Sequence, residues 1–235
     1  MSRRDNLSKE ARKQARAEKK QARKEETRKE LERIILACEG TVTEKNYFES
    51  IFRELMEEKN IAKTSLVIAK HAHTNPKGVL QDLEVALKKD DEFEHKWIVI
   101  DRDEMQVNGG GHVLEDFNGA ISSAEAQNIK VAYSNPSFEI WYLLHFENRE
   151  SGVDRDEVIV QLNKYVDYEK NSKTIFKELK ESQLTAIAYA KKLEAYYKLS
   201  GRKLIPASDN PSTSVYKLVE QLNKFKDLTE KNEDN

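Results

Sequence analysis

The most informative stretch of this sequence is HKWIVIDRDE, residues 95–104, in which an apolar run passes directly into charge. Residues 97–100, WIVI, form an unbroken apolar series rich in β-branched side chains, which is typical of a strand whose two faces are both covered by helices. Asp101 and Asp103 follow at once, so they are predicted to leave the sheet at the carboxyl end of that strand. Two carboxylates at this position require a chemical explanation.

Strand-like and helix-like segments alternate on either side of this stretch. The apolar patterns predict strands at 32–38, 65–69, 95–100 and 129–133, with intervening helices at 43–59, 76–88 and 112–127. Such alternation with short connections predicts an α/β fold: a Rossmann-like, mostly parallel four-stranded sheet with flanking helices. Sites in open sheets of this kind collect at the carboxyl ends of the strands.

The rest of the chain is predicted to be basic at its amino end and helical at its carboxyl end. Helical patterns occupy 136–146, 155–166, 183–199 and 212–226. The chain is therefore expected to divide into a basic N-terminal arm over 1–30, an α/β core over 31–150, and a helical C-terminal extension over 151–235 that packs on the core.

The basic arm differs in charge from the remainder of the chain. Residues 1–30 hold 12 of the 40 Lys and Arg residues but only 6 of the 42 Asp and Glu residues, so the net charge of −2 combines a basic arm with an acidic body. Because the arm has almost no large apolar residue, it would form an exposed helix or stay disordered. It is either a solvated segment or a contact for nucleic-acid phosphates, to which clustered basic residues bind with release of counterions. The candidates for that contact are Arg12, Lys13, Arg16, Lys19, Lys20 and Arg23.

The composition disfavours several classes of protein. No stretch approaches the roughly 20 consecutive apolar residues of a membrane span, and the amino terminus lacks the apolar segment of a signal peptide. Cys38 is the only cysteine, so an intramolecular disulfide and a thiolate zinc site are both excluded. A cytoplasmic location is therefore expected, with Cys38 packed in the core.

A further carboxylate follows the first predicted strand. Glu39 and Gly40 come directly after an apolar run, and a helix is predicted to begin near Thr43. Glycine permits a sharp turn from strand to helix, which leaves the Glu39 side chain free. If the first and third strands are neighbours, Glu39 meets Asp101 and Asp103 at one edge of the sheet.

Convergent carboxylates favour the binding of a divalent cation. They repel each other and raise each other's pKa, and a bound cation removes that conflict. Mg²⁺ or Mn²⁺ held by two or three carboxylates and a phosphate oxygen would make a site for phosphoryl transfer. The alternative is that Asp101 and Asp103 only terminate a strand and that Arg102 is their local ion-pair partner.

Four motifs, in order, carry a resemblance to a known family. The stretches LACEGTVTEKNYF (36–48), WIVIDRDE (97–104), YSNPSFEIWYLLHF (133–146) and DNPSTSVYKLV (209–219) resemble motifs of the RloB family, whose core is similar to the Toprim fold. The resemblance spans most of residues 32–222. It implies that Glu39 is the Toprim glutamate, often a general acid or base, and that Asp101 and Asp103 are the metal-binding D-x-D pair.

The resemblance also implies a function. RloB proteins are similar to phage-defence components that are often found beside restriction-modification genes or ATPase partners. A Mg²⁺- or Mn²⁺-dependent nuclease of the Toprim type is therefore expected, with Glu39, Asp101 and Asp103 as catalytic residues, acting on RNA, including tRNA, or on DNA in anti-phage defence and abortive infection. The alternative is a non-catalytic nucleic-acid-binding or sensor subunit that works with an ATPase partner.

Two Asn-Pro motifs supply further candidates. Asn135 and Pro136 suit the start of a helix, which places Glu139 in the first turn as either a fourth metal ligand or a partner of the helix dipole. The motif recurs as DNPST, residues 209–213, where polar groups at a helix start would hold a substrate phosphate. The candidate residues there are Asn210, Ser212 and Thr213.

The remaining candidates have simpler alternatives. His71 and His73 follow the second predicted strand. They could lie near the site as phosphate contacts or as a general acid; the alternative is that they belong to a polar loop. Residues 108–112, NGGGH, lack the spacing of a nucleotide-binding motif and favour a mobile loop. Glu44 is predicted to cap the start of its helix, with metal ligation as the alternative.

Overall fold

The computed structural model describes residues 32–58, 61–103, 111–199 and 203–230, together with residues 16 and 201; for 226–230 it describes the backbone only. In this part of the chain a single sheet has the strand order β2-β1-β3-β4-β5. The strands are β1 (Ile34–Cys38), β2 (Leu66–Ile68), β3 (His95–Asp101), β4 (Lys130–Asn135) and β5 (Ser212–Thr213). The first four are mutually parallel, and β5 runs antiparallel to β4. The predicted α/β class and four parallel strands are confirmed.

Helices cover both faces of this sheet. Those of the described residues are α1 (Thr43–Glu58), α2 (Pro76–Leu87), α3 (Leu114–Ala126), α4 (Glu139–Leu143), α5 (Arg155–Leu162), α6 (Ile175–Leu179), α7 (Gln183–Lys198) and α8 (Val215–Glu230). None of them is both long enough and apolar enough to cross a membrane. The basic arm lies outside the described residues except for Arg16, which is exposed.

Alternate residues of each strand enter two different apolar clusters. Leu36, Trp97 and Val99 pack with side chains of α1, α4, α7 and α8 on one face. Ile98 and Ile100 pack with α2 and α3 on the other face. The WIVI run is continuous in sequence because both faces of β3 are buried, and the central strand of a parallel sheet is expected to have this pattern.

The neighbouring positions of β1 and β3 bring their carboxyl ends together. The register pairs Ile34 with His95 and Cys38 with Val99, so the two strands finish side by side. The Glu39 N–H then donates to the Val99 carbonyl at 3.0 Å, which continues the ladder by one residue beyond β1. This pairing places the residues that follow both strands at one edge of the sheet.

The helix predicted to start at Asn135 and Pro136 begins later. Asn135 is the last residue of β4, and α4 starts at Glu139. The Asn135 side chain donates to the Pro206 carbonyl at 2.9 Å and therefore does not cap a helix. The prediction of an N-cap here is wrong because a tertiary contact takes the side chain.

The second Asn-Pro motif also departs from the predicted helix start. Ser212 and Thr213 form β5, and the helix α8 begins at Val215. The Thr213 hydroxyl donates to the Tyr133 carbonyl at 2.9 Å, and the Ser214 N–H donates to the same carbonyl at 2.9 Å. A strand of two residues has no periodicity to detect, so its pairing with β4 defines it. The short helix α6 was likewise not predicted.

Candidate active site

Five carboxylate side chains line one cavity of about 610 Å³ at the carboxyl edge of the sheet. Glu39 follows β1, and Asp101 and Asp103 lie at and just beyond the end of β3. Glu139 opens α4 after β4, and Glu44 lies in the first turn of α1. The structure therefore brings the three acids predicted to be catalytic to one place, with two more beside them.

Glu39 is held by two elements. Its Oε2 accepts a hydrogen bond from the Asp101 N–H at 3.1 Å, and its Oε1 forms an ion pair with Nε2 of His112. The side chain is buried, and this burial raises the pKa of Glu39, while the hydrogen bond from His112 acts in the opposite direction. The same hydrogen bond raises the pKa of His112.

Asp101 lies at the centre of the acidic residues. Its Oδ2 accepts a hydrogen bond from the Phe138 N–H at 3.0 Å, whereas its buried Oδ1 has no hydrogen-bond partner among the described residues. Burial raises the pKa of Asp101 well above its ordinary value, and the charges of Glu44, Glu39 and Glu139 raise it further. We refer to Glu39, Glu44, Asp101 and Glu139 as the acidic cluster.

Glu139 and Asp103 are each engaged by residues of the carboxyl-terminal part of the chain. The Tyr168 hydroxyl donates to Glu139 Oε1 at 2.8 Å, and Ser137 donates to its Oε2 at 2.7 Å. Nη1 of Arg155 lies 2.7 Å from Asp103 Oδ2. The cavity is consequently built from the sheet edge together with segments beyond residue 150.

Glu44 folds back over the turn that follows β1. Its Oε1 accepts a hydrogen bond from the Gly40 N–H at 3.2 Å, so it caps this turn. A Cβ on residue 40 would lie 1.7 Å from Glu44 Oε2, so a larger residue there would push the buried Glu44 carboxylate from its present position. The sequence predicts a sharp turn at Gly40 but carries no signal for this contact.

Oxygen ligands suit Mg²⁺ and Mn²⁺, and the cavity supplies carboxylates at the edge where three strands end. The unpartnered Asp101 Oδ1 and the mutual repulsion within the acidic cluster both fit a hard cation. In the described part of the chain, however, no group of three or more Asp, Glu, His or Cys side chains has the arrangement of a ready-made metal site. His112 holds Glu39, and Arg155 holds Asp103, so binding of a cation requires these oxygens to turn from their present partners.

Three residues at the cavity were not identified as site residues from the sequence. His112 belonged to a segment interpreted as a loop, and Arg155 and Tyr168 belong to the helical extension. His112 contacts Glu39, 73 positions away in the sequence. Arg155 contacts Asp103 across 52 positions, and Tyr168 contacts Glu139 across 29. No local spacing signals such contacts, although the histidine beside the glycine-rich stretch was the nearest clue.

The two predicted histidines are placed outside the lining of the cavity. His73 Nδ1 lies 2.7 Å from Asp82 Oδ1, and His71 Nδ1 lies 3.2 Å from the Cys38 carbonyl. Thr74 from the same loop lines the cavity instead. His73 therefore fixes its loop to α2, which carries Asp82.

The predicted phosphate contacts of the second Asn-Pro motif also lie away from the cavity lining. Asn210 makes two hydrogen bonds to the backbone of Val153, at 3.1 and 2.9 Å. Ser212 and Thr213 are buried in β5. The motif joins the carboxyl-terminal segment to the sheet. Of the predicted phosphate contacts in the arm, Arg12, Lys13, Lys19, Lys20 and Arg23 lie outside the described residues.

The acidic cluster predicts a pH-dependent stability. Burial, together with the charges of Glu139 and Glu39, raises the pKa of Glu44 from 4.5 to about 7. Between these values the unfolded chain ionises while the folded protein keeps the proton, so folding stability falls as pH rises through this window. Glu44→Gln retains the acceptor for Gly40 and removes the charge. We expect it to raise the free energy of unfolding by about 1 to 3 kcal/mol at pH 8 and to have little effect at pH 4.

Urea denaturation of both proteins at pH 4 and pH 8 tests this expectation. The control is Glu49→Gln on the same helix, because Glu49 is exposed and pairs with Lys45 at the surface. If Glu44→Gln changes the free energy of unfolding by the same amount at both pH values, the pKa of Glu44 is not raised in the folded protein.

Comparison with known proteins gives one family. The sequence profile described as RloB-like protein matches residues 34–222, which is most of the chain. A search of curated proteins and a search of solved structures each found no match.

Proposed function

The chain belongs to the RloB-like family, and we propose that it is a Mg²⁺- or Mn²⁺-dependent nuclease of the Toprim type that hydrolyses phosphodiesters of RNA, including tRNA, or of DNA in bacterial anti-phage defence. The strongest support is Asp101, a carboxylate that is 9% exposed, has an unpartnered oxygen among the described residues, and is surrounded by three other acids. Such a group is costly to keep ionised unless a cation binds it.

The residues of the cavity divide the chemical work between them. Asp101 and Asp103 would hold the cation, with Glu39 and Glu139 as further ligands. When bound, the cation polarises a phosphate oxygen, lowers the pKa of a coordinated water and stabilises the leaving oxygen. Glu39 has a raised pKa and lies against His112, so this pair can hold or release a proton beside the phosphate.

Metal dependence is the first test of this function. The full-length protein is incubated with labelled single-stranded RNA, tRNA, and single- and double-stranded DNA, with millimolar Mg²⁺ or Mn²⁺ or with EDTA. We expect at least one substrate to be cleaved with metal, and cleavage to stop in EDTA. Mn²⁺ at 100 times its dissociation constant should also stabilise the fold by about 2.7 kcal/mol, which thermal denaturation measures without a substrate. Absence of cleavage on every substrate would exclude the nuclease, and absence of stabilisation by Mn²⁺ would exclude a bound cation.

One observation favours the second candidate, a non-catalytic nucleic-acid-binding or sensor subunit of an ATPase partner. His112 forms an ion pair with Glu39, and Arg155 forms one with Asp103. Among the described residues, no three Asp, Glu, His or Cys side chains are arranged to bind a metal ion as they stand. This candidate predicts that nucleic acid binds with equal affinity in Mg²⁺ and in EDTA and is recovered intact. The assay above therefore separates the two functions.

A further inference from the structure

We propose that Arg155 and Lys170 form the phosphate-binding side of the cavity, and that the Arg155 guanidinium moves from Asp103 to a phosphate oxygen of the nucleic acid when a divalent cation binds Asp103. This inference rests on the proposed function of the same cavity. It assigns a substrate-positioning role to two residues from the segment beyond residue 150.

The position of Arg155 is the first support. It opens α5, whose start is fixed by Asp154, because the Asp154 side chain accepts a hydrogen bond from the Glu157 N–H at 2.8 Å. The Arg155 side chain lines the cavity and is 26% exposed. Within the described residues its hydrogen bond is the one from Nη1 to Asp103, so the rest of the guanidinium fork is available to a ligand.

Charge in the cavity supplies the second support. A phosphodiester that enters this cavity is repelled by those of its five lining carboxylates that are ionised, and the charge of one divalent cation offsets only part of that repulsion. The Arg155 guanidinium lines the same cavity as these acids, and its Nη1 lies 2.7 Å from Asp103 Oδ2. Arginine presents several donors in a plane and so matches phosphate oxygens in a bidentate manner.

The ion pair between Arg155 and Asp103 can be broken when a cation binds Asp103. Both side chains are partly exposed, at 26% and 20%, and ion pairs in such surroundings contribute little net free energy. A cation that takes Asp103 as an oxygen ligand would therefore displace the guanidinium readily. The displaced group stays in the same cavity and is close to any phosphate bound to the cation.

Lys170 lies on a segment that is held at the rim of the cavity. The Lys170 carbonyl accepts a hydrogen bond from the Thr43 hydroxyl at 3.2 Å, and Asn46 donates to the carbonyls of Asn171 and Ser172 at 3.4 and 3.3 Å. These contacts fix the segment to the start of α1. The Lys170 side chain is exposed and lines the cavity. Its ammonium group is therefore placed to contact the next phosphate of the nucleic-acid strand, beyond the scissile one.

The test measures metal binding and nucleic-acid binding separately. Wild type, Arg155→Ala, Arg155→Lys and Lys170→Ala are compared with Arg53→Ala, a control on the exposed side of α1. Calorimetry with Mn²⁺ alone should give Arg155→Ala an affinity equal to or higher than that of wild type, because a competing cation is removed. Affinity for a single-stranded oligonucleotide in Ca²⁺ should fall about 10- to 100-fold in Arg155→Ala and less in Arg155→Lys, which keeps the charge without the fork. Lys170→Ala should lose about 3- to 10-fold.

Two results would overturn the inference. One is weaker Mn²⁺ binding in both Arg155 variants, which would make Arg155 a structural support for Asp103. The other is an oligonucleotide affinity in Arg155→Ala equal to that of Arg53→Ala. If wild type cleaves nothing under any condition, the nuclease proposal fails, whereas these two binding measurements still decide the role of Arg155.

Discussion

Asp101→Asn is expected to abolish metal-dependent cleavage, with a loss of about 1,000-fold or more, because the variant removes the central anionic ligand of the proposed cation. Asparagine has the same shape and keeps an oxygen that can accept the hydrogen bond of the Phe138 N–H, which is now 3.0 Å from Asp101 Oδ2. The chemistry should therefore be lost without loss of the fold. Glu39→Gln should lower cleavage by about 100-fold through loss of proton transfer.

We expect Asp101→Asn to lose cleavage activity without losing folding stability. Burial and three neighbouring carboxylates raise the pKa of Asp101, so ionisation of this group opposes folding at neutral pH. Removal of the charge should make Asp101→Asn at least as stable as wild type in urea denaturation at pH 8. Mn²⁺ should then stabilise wild type and have little effect on the variant.

Single-turnover cleavage and Mn²⁺ calorimetry on the same preparations test these expectations. The control is Asp156→Asn, because Asp156 is exposed in the first turn of α5. Cleavage by Asp101→Asn at the wild-type rate would remove Asp101 from the mechanism. A large loss of stability in this variant would show that the carboxylate supports the fold.

The parallel sheet could be predicted because its determinants are local. The strands β1 and β3 carry apolar runs of four or more residues; Glu39 follows the first, and Asp101 is the last residue of the second. Covered strands and short connections restrict the topology to a few arrangements, one of which makes β1 and β3 neighbours. The convergence of the acids at one edge follows from that topology.

The other half of the cavity could not be predicted because its determinants are tertiary. Arg155 and Tyr168 reach the acids from a segment whose sequence predicts only helices and loops. Glu44 was assigned to a helix cap because its position in the first turn of α1 favours that role, whereas its burial and its approach to Gly40 depend on how α1 packs. Residues such as these are identified by burial and distance, which periodicity does not encode.

The acidic cluster and the apolar core share one structural element, the segment 137–143. The Phe138 N–H holds Asp101, while the Phe138 ring lies in the core at 5.8 Å from Tyr47 and 5.3 Å from Tyr142, measured between ring centroids. The Tyr142 hydroxyl donates to the Thr43 carbonyl at 3.2 Å, at the start of α1. Core packing on this face of the sheet therefore positions the backbone that orients Asp101.

Phe138→Ala should consequently affect both stability and the site. The ring is 1% exposed and makes edge-to-face contacts with Tyr47, Phe48 and Tyr142. Truncation leaves a cavity among these rings, so we expect a loss of about 3 to 5 kcal/mol in the free energy of unfolding. Phe138→Leu fills part of that space and should lose less. The control is Tyr165→Ala, which removes a ring that is stacked on Phe146 but is 46% exposed.

Urea denaturation at pH 7 gives the stabilities, and Mn²⁺ calorimetry of the folded variants gives the effect on the site. Affinity for Mn²⁺ should fall more in Phe138→Ala than in Phe138→Leu, because the Phe138 N–H shifts as the rings collapse into the cavity. The Tyr165→Ala control should keep wild-type affinity. If Phe138→Ala loses stability but binds Mn²⁺ as tightly as wild type, the core does not orient Asp101, and the sheet edge alone must fix the carboxylate.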